Sequence, residues 1–254
     1  MRWAVEIQRT RLERRNLTDL LERLGFKLMG EAPNLVFTSA DLDRCSTASE
    51  AFEIAKKLRD SFTGPAKTDS EFRIGSVVDY STVPPKRHGF AEGALISLQS
   101  VMFAATATVG PPPGLSDEQL REWRAARTEA EYQAKLEEQL SKLEPAYRNP
   151  KAVRVLELLA IESQSGETLF KIYELMRGSG RNGTAFGQHF GLTEDEYRRF
   201  GAAVHHDSVT GDWARHAHGD PPNSDNPMTK AEAEAFVRGI AHRWLEQIRT
   251  SQND

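Results

Sequence analysis

The chain has a single cysteine, Cys45, in 254 residues. One cysteine excludes an intrachain disulfide, a four-cysteine zinc site and an iron–sulfur cage. Structural disulfides belong to oxidising compartments. The cysteine content therefore predicts a reducing, cytoplasmic location.

Long hydrophobic runs are also missing. A signal peptide needs about 7–15 consecutive apolar residues, and Glu6, Gln8 and Arg9 interrupt the N-terminal segment. The longest stretch without charge, residues 93–116, contains several Ser, Thr and Gln side chains and ends in three prolines. A membrane-spanning helix needs about 20 mostly apolar residues. We therefore expect no membrane partner.

The sequence lacks a basic excess and the common nucleotide motifs. Its net charge is −4, whereas proteins that bind nucleic acid mainly through phosphates are usually basic. It contains no phosphate loop, no dinucleotide fingerprint and no serine nucleophile elbow. These absences argue against an ATPase or a standard hydrolase, and they leave a local basic site open.

The first 110 residues alternate strand and helix patterns. Strands are predicted at residues 3–7, 26–29, 35–38 and 72–80, and at least one more within 94–109. Helices are predicted at residues 17–24, with Asn16 as the cap, and from a capping box at 47–50 to Gly64. The order predicts a small α+β domain with helices on one sheet face, ferredoxin-like in outline.

A proline-rich segment, residues 109–114, divides the chain, and almost everything after it has helical periodicity. The sequence therefore predicts an α+β domain at 1–110, a proline hinge with a charged linker helix at 111–148, and an all-α domain at 149–254. Asn149 and Pro150 predict a helix start, as do Thr229 and Glu232.

Residues 186–200 resemble a helix-turn-helix in spacing, with Thr193 as the cap of the second helix. In DNA recognition, the N-terminal residues of that helix contact bases. Here these residues are Glu194, Asp195 and Glu196, which repel phosphate. We therefore interpret the motif as a helical hairpin used for packing, and DNA is not an expected partner.

Six of the seven histidines lie within residues 189–242, in a segment also rich in aspartate. Imidazole and carboxylate groups can ligate a metal, but the spacing matches no known site. We therefore expect no metal and no cofactor. Arg215 followed by His216 also suits another role, because arginine holds an anion while histidine transfers a proton.

Four segments of the C-terminal half resemble uncharacterised bacterial proteins whose helical region is similar to HEPN domains. The segments are Val155-Leu-Glu-Leu-Leu159, Glu167-Thr-Leu-Phe-Lys-Ile-Tyr173, Ala214-Arg215-His216 and Pro227-Met-Thr-Lys-Ala-Glu232. HEPN domains bind nucleotides or cut RNA. Their ribonucleases carry Arg, a polar residue and then His after four to six intervening residues. Arg198 and His205 fit this formula with six residues between them.

The resemblance implies recognition of RNA or a nucleotide by the helical domain, with metal-independent RNA cleavage as a further activity. Arg198 or Arg215 would then steady the phosphate, and His205 or His216 would act as general acid–base for attack by a 2′-hydroxyl. The alternative is a non-catalytic scaffold that forms a homodimer or holds another partner. The sequence leaves open whether the protein is an enzyme. An enzyme requires Arg and His to converge, whereas a scaffold requires an exposed apolar patch.

Overall fold

The fold was analysed in a computed structural model, which describes residues 1–64, 68–69, 71–90, 111–178, 183–215 and 224–251. It is an α+β fold, as predicted. The strands are β1 (Trp3–Arg9), β2 (Phe26–Met29), β3 (Val36–Ser39), β4 (Arg73–Asp79) and β5 (Lys86–His88). The helices of the first half are α1 (Arg14–Arg23), α2 (Ala40–Arg44) and α3 (Ala48–Thr63). They are followed by α4 (Asp117–Arg148), α5 (Pro150–Leu159), α6 (Gly166–Arg177), α7 (Gly183–His189), α8 (Glu194–His205), α9 (Asp207–Thr210) and α10 (Lys230–Thr250).

The chain divides into two compact units. The sheet unit contains Met1–Ala55 and Arg73–Leu140, and the helical unit contains Lys56–Phe72 and Ser141–Asp254. The division falls within α3 and within α4. The predicted boundaries at 110 and 148 stay predictions.

The sheet unit contains one antiparallel sheet with the strand order β2-β3-β1-β4-β5. β1 is the central strand because it pairs with β3 on one side and β4 on the other, so Val5 lies opposite both Phe37 and Val77, and its apolar side chains are buried. The strands predicted before residue 80 are present. The strand predicted within 94–109 falls outside the described residues. The sequence patterns missed β5, which is only three residues long and carries Lys86 and Arg87.

The start of α1 differs from the prediction. The helix begins at Arg14, and Asn16 lies inside it as a buried residue rather than as its cap. The Asn16 side-chain amide donates to Gln139 Oε1 at 3.1 Å. A tertiary partner therefore takes the side chain that the sequence pattern assigned to capping.

The long charged helix α4 packs on α1 within the sheet unit. Arg15 pairs with Glu129 at 2.6 Å, and Tyr132 Oη donates a hydrogen bond to Asp19. Leu136 and Leu140 of this otherwise charged helix are buried. Ser116 caps the start of α4, since its Oγ accepts from the amide of Gln119.

The helical unit has a single large apolar core among its described residues, and α6 crosses it. Leu169, Ile172, Tyr173 and Met176 of α6 are buried there. α6 packs against α5, α8 and α10. The predicted helix starts are present: Asn149 caps α5, and capping boxes begin α8 and α10. The face of α6 that packs against α8 carries the site described next.

Candidate functional site

Phe170 on α6 brings a histidine and an arginine together. The His205 ring lies edge-on to the Phe170 ring, with a centroid separation of 4.4 Å. The Arg215 guanidinium carbon lies 4.8 Å from the centroid of the same Phe170 ring. Two of the predicted site residues, ten positions apart in sequence, therefore contact one aromatic side chain.

Backbone contacts hold Arg215 beside the end of α8. The amide of Arg215 donates to the carbonyl of Val204 at 2.7 Å, one residue before His205. The indole Nε1 of Trp213 donates to the carbonyl of Gln164 at 2.6 Å, just before α6 begins. These two hydrogen bonds fix the segment 213–215 between the two helices.

Gly166 allows this close approach at the start of α6. A Cβ at residue 166 would lie 2.9 Å from the carbonyl oxygen of Trp213 and 3.1 Å from that of Val204. Ser165 caps the helix, because its hydroxyl accepts from the amide of Thr168. The local sequence Ser-Gly therefore both begins α6 and makes room for the segment that carries Arg215.

The charge of Arg215 is not neutralised by an ion pair within the described residues. Asp207 and Asp212, the two described acids near it in sequence, are both exposed, whereas Asp220 lies outside the described residues. Its guanidinium lies exposed over Phe170. An exposed arginine on an aromatic face keeps all of its hydrogen-bond donors for an anion.

Arg198 occupies a different environment from Arg215. Its guanidinium pairs with Asp195, one turn earlier on α8, at 2.7 Å, and both side chains are about half exposed. Arg198 shares α8 with His205, and the two residues are about 10 Å apart along the helix axis at 1.5 Å per residue. The structure therefore brings His205 together with Arg215, and not with the guanidinium of Arg198.

The other predicted site residue, His216, lies outside the described residues, as do His218 and Asp220. Elsewhere, His189 stacks edge-on against Phe190, and His242 is exposed on α10. Among the described residues, no group of three or more His, Cys, Asp or Glu side chains is placed to hold a metal ion. The expectation that the protein binds no metal therefore stays a prediction.

Sequence reasoning did not single out Phe170, which the His205 and Arg215 side chains contact. Phe170, Tyr173 and Arg177 recur at i, i+3 and i+7, which places them on one helix face. That periodicity is visible in the sequence, but its significance depends on α8 packing beside it.

Burial changes the acid–base properties of this face. Burial raises the pKa of Tyr173 to about 12, and the neighbouring Tyr197 adds to the increase, while Arg177 opposes it. Tyr173 is therefore neutral at physiological pH and can both donate and accept a hydrogen bond.

The sheet unit contains a separate cleft of about 360 Å³ between its two hairpins. Glu6 and Arg87 form an ion pair in it, and the amide of Ser76 also donates to Glu6. Because its two charged side chains already pair with each other, the cleft offers less to a charged ligand than the Phe170 cluster does.

A comparison with known proteins finds no matching family model, no matching curated protein and no matching solved structure. In the part of the chain that the structure describes, no helix has both the length and the apolar character needed to cross a membrane.

Proposed function

We propose that the helical unit binds a phosphate group of RNA or of a nucleotide at Phe170, His205 and Arg215. One observation carries the proposal: His205 and Arg215 contact the same Phe170 ring, at 4.4 Å and 4.8 Å. The sequence alone allowed four combinations of Arg198 or Arg215 with His205 or His216. Among the residues that the structure describes, the geometry favours Arg215 over Arg198 as the partner of His205; His216 lies outside the described residues.

The chemistry of this pair suits a phosphodiester. The Arg215 guanidinium offers planar, permanently charged donors that match phosphate oxygens. A neutral imidazole has one ring nitrogen that accepts and one that donates a proton, so His205 has the chemistry of a general acid–base. In RNA cleavage, His205 would accept the 2′-hydroxyl proton while O2′ attacks phosphorus. The 5′-oxygen would leave with a proton from solvent, which leaves a 2′,3′-cyclic phosphate.

The sheet unit adds a fold-level proposal. Its strand order β2-β3-β1-β4 is antiparallel throughout, with α1 between β1 and β2, and α2 and α3 between β3 and β4. This arrangement supports the ferredoxin-like outline that the sequence suggests, with β5 added at one edge. The fold outline by itself assigns no function to the sheet unit.

Binding of a short RNA by the intact protein tests the proposed function. Fluorescence anisotropy of a labelled oligouridylate at low and physiological salt is expected to show binding that Arg215→Ala weakens about tenfold or more, since charge-assisted contacts are each worth about 1.5–3 kcal/mol. Arg238→Ala, which removes an exposed arginine from α10, serves as the matched control. Melting temperatures of both variants should stay close to that of the wild type.

Cleavage is tested separately with unmodified RNA in the presence of EDTA. A 2′,3′-cyclic phosphate product that is lost in His205→Asn supports the ribonuclease activity. Binding without any product restricts the function to recognition. A wild-type protein that binds neither RNA nor nucleotide at low salt would leave the scaffold alternative, and the oligomeric state would then be the next measurement.

A further inference from the structure

Aromatic and cationic side chains continue beyond Phe170 along α6 and α8. The Tyr173 ring lies one turn after Phe170, with centroids 6.3 Å apart. Tyr197 on α8 lies 5.5 Å from Tyr173, and the Arg177 guanidinium lies 6.0 Å from the same ring. We name the set Phe170, Tyr173, Arg177, Tyr197, His205 and Arg215 the α6–α8 row.

Tyr197 is an exposed aromatic ring supported by a buried one. It is 39% exposed, whereas Tyr173 beneath it is 1% exposed. Most large apolar side chains of this unit are buried, so an exposed ring of this size is unusual there. A flat ring with a fixed support and a free side is a suitable surface for stacking a nucleobase.

Arg177 provides a second cation that is not neutralised. Its Nε atom is buried, and no hydrogen-bond acceptor among the described residues contacts that atom. No carboxylate of the described residues forms an ion pair with Arg177, although Glu174 lies one turn earlier on the same helix. The Arg177 guanidinium therefore has no anionic partner among the described residues, and a phosphate would supply one.

Gly201 leaves space between the two ends of the row. It lies four residues after Tyr197 and four before His205 on α8, so the three positions follow one side of the helix. A Cβ at residue 201 would meet no atom within 4 Å. Among the described residues, no atom therefore occupies the space beside Gly201, midway along the roughly 12 Å of helix between Tyr197 and His205, at about 1.5 Å per residue.

We propose that the α6–α8 row binds single-stranded RNA, with one phosphate at Arg215 and His205, another at Arg177, and a base stacked on Tyr197. This inference rests on the proposed function and specifies its ligand. The phosphates of a nucleoside triphosphate share oxygen atoms and are too close together to follow the row. Successive phosphates of an oligonucleotide are separated by a ribose and can follow it.

The same face also carries acidic side chains. Glu167 and Glu174 are exposed on α6, and a nearby phosphate would be repelled by them. Their presence predicts weak binding for the wild type and a measurable gain when one of them is neutralised. Glu174→Gln is therefore expected to tighten RNA binding. A variant that only lost stability would not bind RNA more tightly.

The length of the ligand is the first test. The probes are 2′-O-methyl oligouridylates of two, four and eight residues, which keep the phosphates and resist cleavage, with UMP and UTP as competitors. Affinity is expected to rise at least tenfold from two to four residues, and UTP is expected to compete poorly. Equal affinity for UTP and the four-residue probe would contradict the proposal that RNA binds along the α6–α8 row.

Variants at the far end of the row are the second test. Arg177→Gln should weaken binding of the four-residue probe several-fold. It should also make the slope of log affinity against log salt shallower by about 0.7, the value for one lost phosphate contact on a single strand. Tyr197→Leu should weaken binding roughly tenfold by removing the stack, and Tyr197→Trp should restore it. A structural effect alone would not change the salt slope.

Substitutions at Gly201 provide a matched pair. Gly201→Ala should leave binding of the four-residue probe unchanged. Gly201→Leu should weaken that binding, because its side chain would lie on the path of the RNA. One outcome would separate the two proposals: Arg215→Ala loses binding, while Arg177→Gln, Tyr197→Leu and Gly201→Leu have no effect. That outcome would contradict RNA binding along the α6–α8 row and leave the proposed function standing. Absence of wild-type binding to every probe at low salt would overturn both.

Discussion

Arg198 and Arg215 each follow an aspartate by three residues, yet only one of them pairs with it. Asp195 and Arg198 lie on successive turns of α8, where side chains three residues apart are neighbours. Asp212 lies in a 3₁₀ turn, Gly211–Trp213, and Ala214 after it is extended, with φ −63° and ψ 155°. The extended residue carries Arg215 away from Asp212 and towards Phe170.

Asp43 shows how a single carboxylate can hold the start of a strand. Its Oδ1 accepts hydrogen bonds from the amides of Arg2 at 2.6 Å and of Trp3 at 3.1 Å. Partial burial raises the pKa of Asp43, but the hydrogen bonds from these two amides and the charge of the N-terminus outweigh burial, so the pKa is lowered overall. The ionised carboxylate therefore stabilises the folded state.

Asp43→Ala is expected to lower the free energy of unfolding by about 1 kcal/mol at pH 7, a modest value because the side chain is partly exposed. A lowered folded-state pKa contributes stability above the unfolded value of about 3.9, and this stability is lost as the pH falls through the folded value. The difference between wild type and variant should therefore shrink below about pH 4. Urea unfolding of wild type and variant at about pH 7 and about pH 3 measures this difference in the free energy of unfolding.

Asp41→Ala is the control for this experiment. Asp41 is exposed and pairs only with exposed Arg44, and such pairs contribute little, about 0–1 kcal/mol. An Asp43→Ala effect of equal size at pH 7 and pH 3 would show that packing, rather than ionisation, is responsible.

At the scale of the helix, two glycines illustrate opposite roles. Gly239 is exposed within α10, and a Cβ there would meet no atom within 4 Å. Gly166 begins α6 under the carbonyl oxygens of Trp213 and Val204. The first glycine reduces helix stability without a compensating contact, and the second makes a contact possible.

Gly239→Ala is expected to raise the free energy of unfolding by about 0.5–1 kcal/mol, because alanine loses less backbone entropy in a helix. Gly166→Ala is expected to lower it by about 1–3 kcal/mol, because the new methyl must displace the backbone of Trp213. Chemical denaturation of both variants measures these changes. Gly166→Ala should also weaken RNA binding, since Arg215 follows Trp213, whereas an unchanged affinity would contradict this link.

For the whole molecule, the described segment Pro111–Gly114 is exposed and outside regular structure. Backbone hydrogen bonds protect helices and strands from proteases, and exposed irregular segments lack that protection. The sequence predicts a second accessible segment at 221–227, of which residues 221–223 lie outside the described residues.

Limited proteolysis of the intact protein is expected to cut first within 109–116 or 221–227. Mass spectrometry of the earliest fragments locates the cut. A first cut inside α3 or α10 would contradict the domain boundaries that the sequence predicts. Because α4 packs on α1, a fragment that ends near 110 should also be less stable than one that retains α4.

Much of the local structure could be predicted from the sequence, because its signals are local. The alternation in Trp3–Ile7, the capping boxes at Thr193 and Thr229, and the Asn149-Pro150 helix start each depend on residues within a few positions of one another. The class of fold follows from the order of these elements. Where a local signal competed with a tertiary contact, as at Asn16, the prediction failed.

The proposed site depends on tertiary structure. His205 and Arg215 were visible as residue types, but the pattern alone did not distinguish Arg215 from Arg198, and His216 lies outside the described residues. The choice follows from α6 packing on α8, from the carbonyl of Val204 accepting the amide of Arg215, and from the absence of a Cβ at Gly166. Each of these contacts joins residues distant in the chain, and side-chain packing, rather than local propensity, determines which of them form.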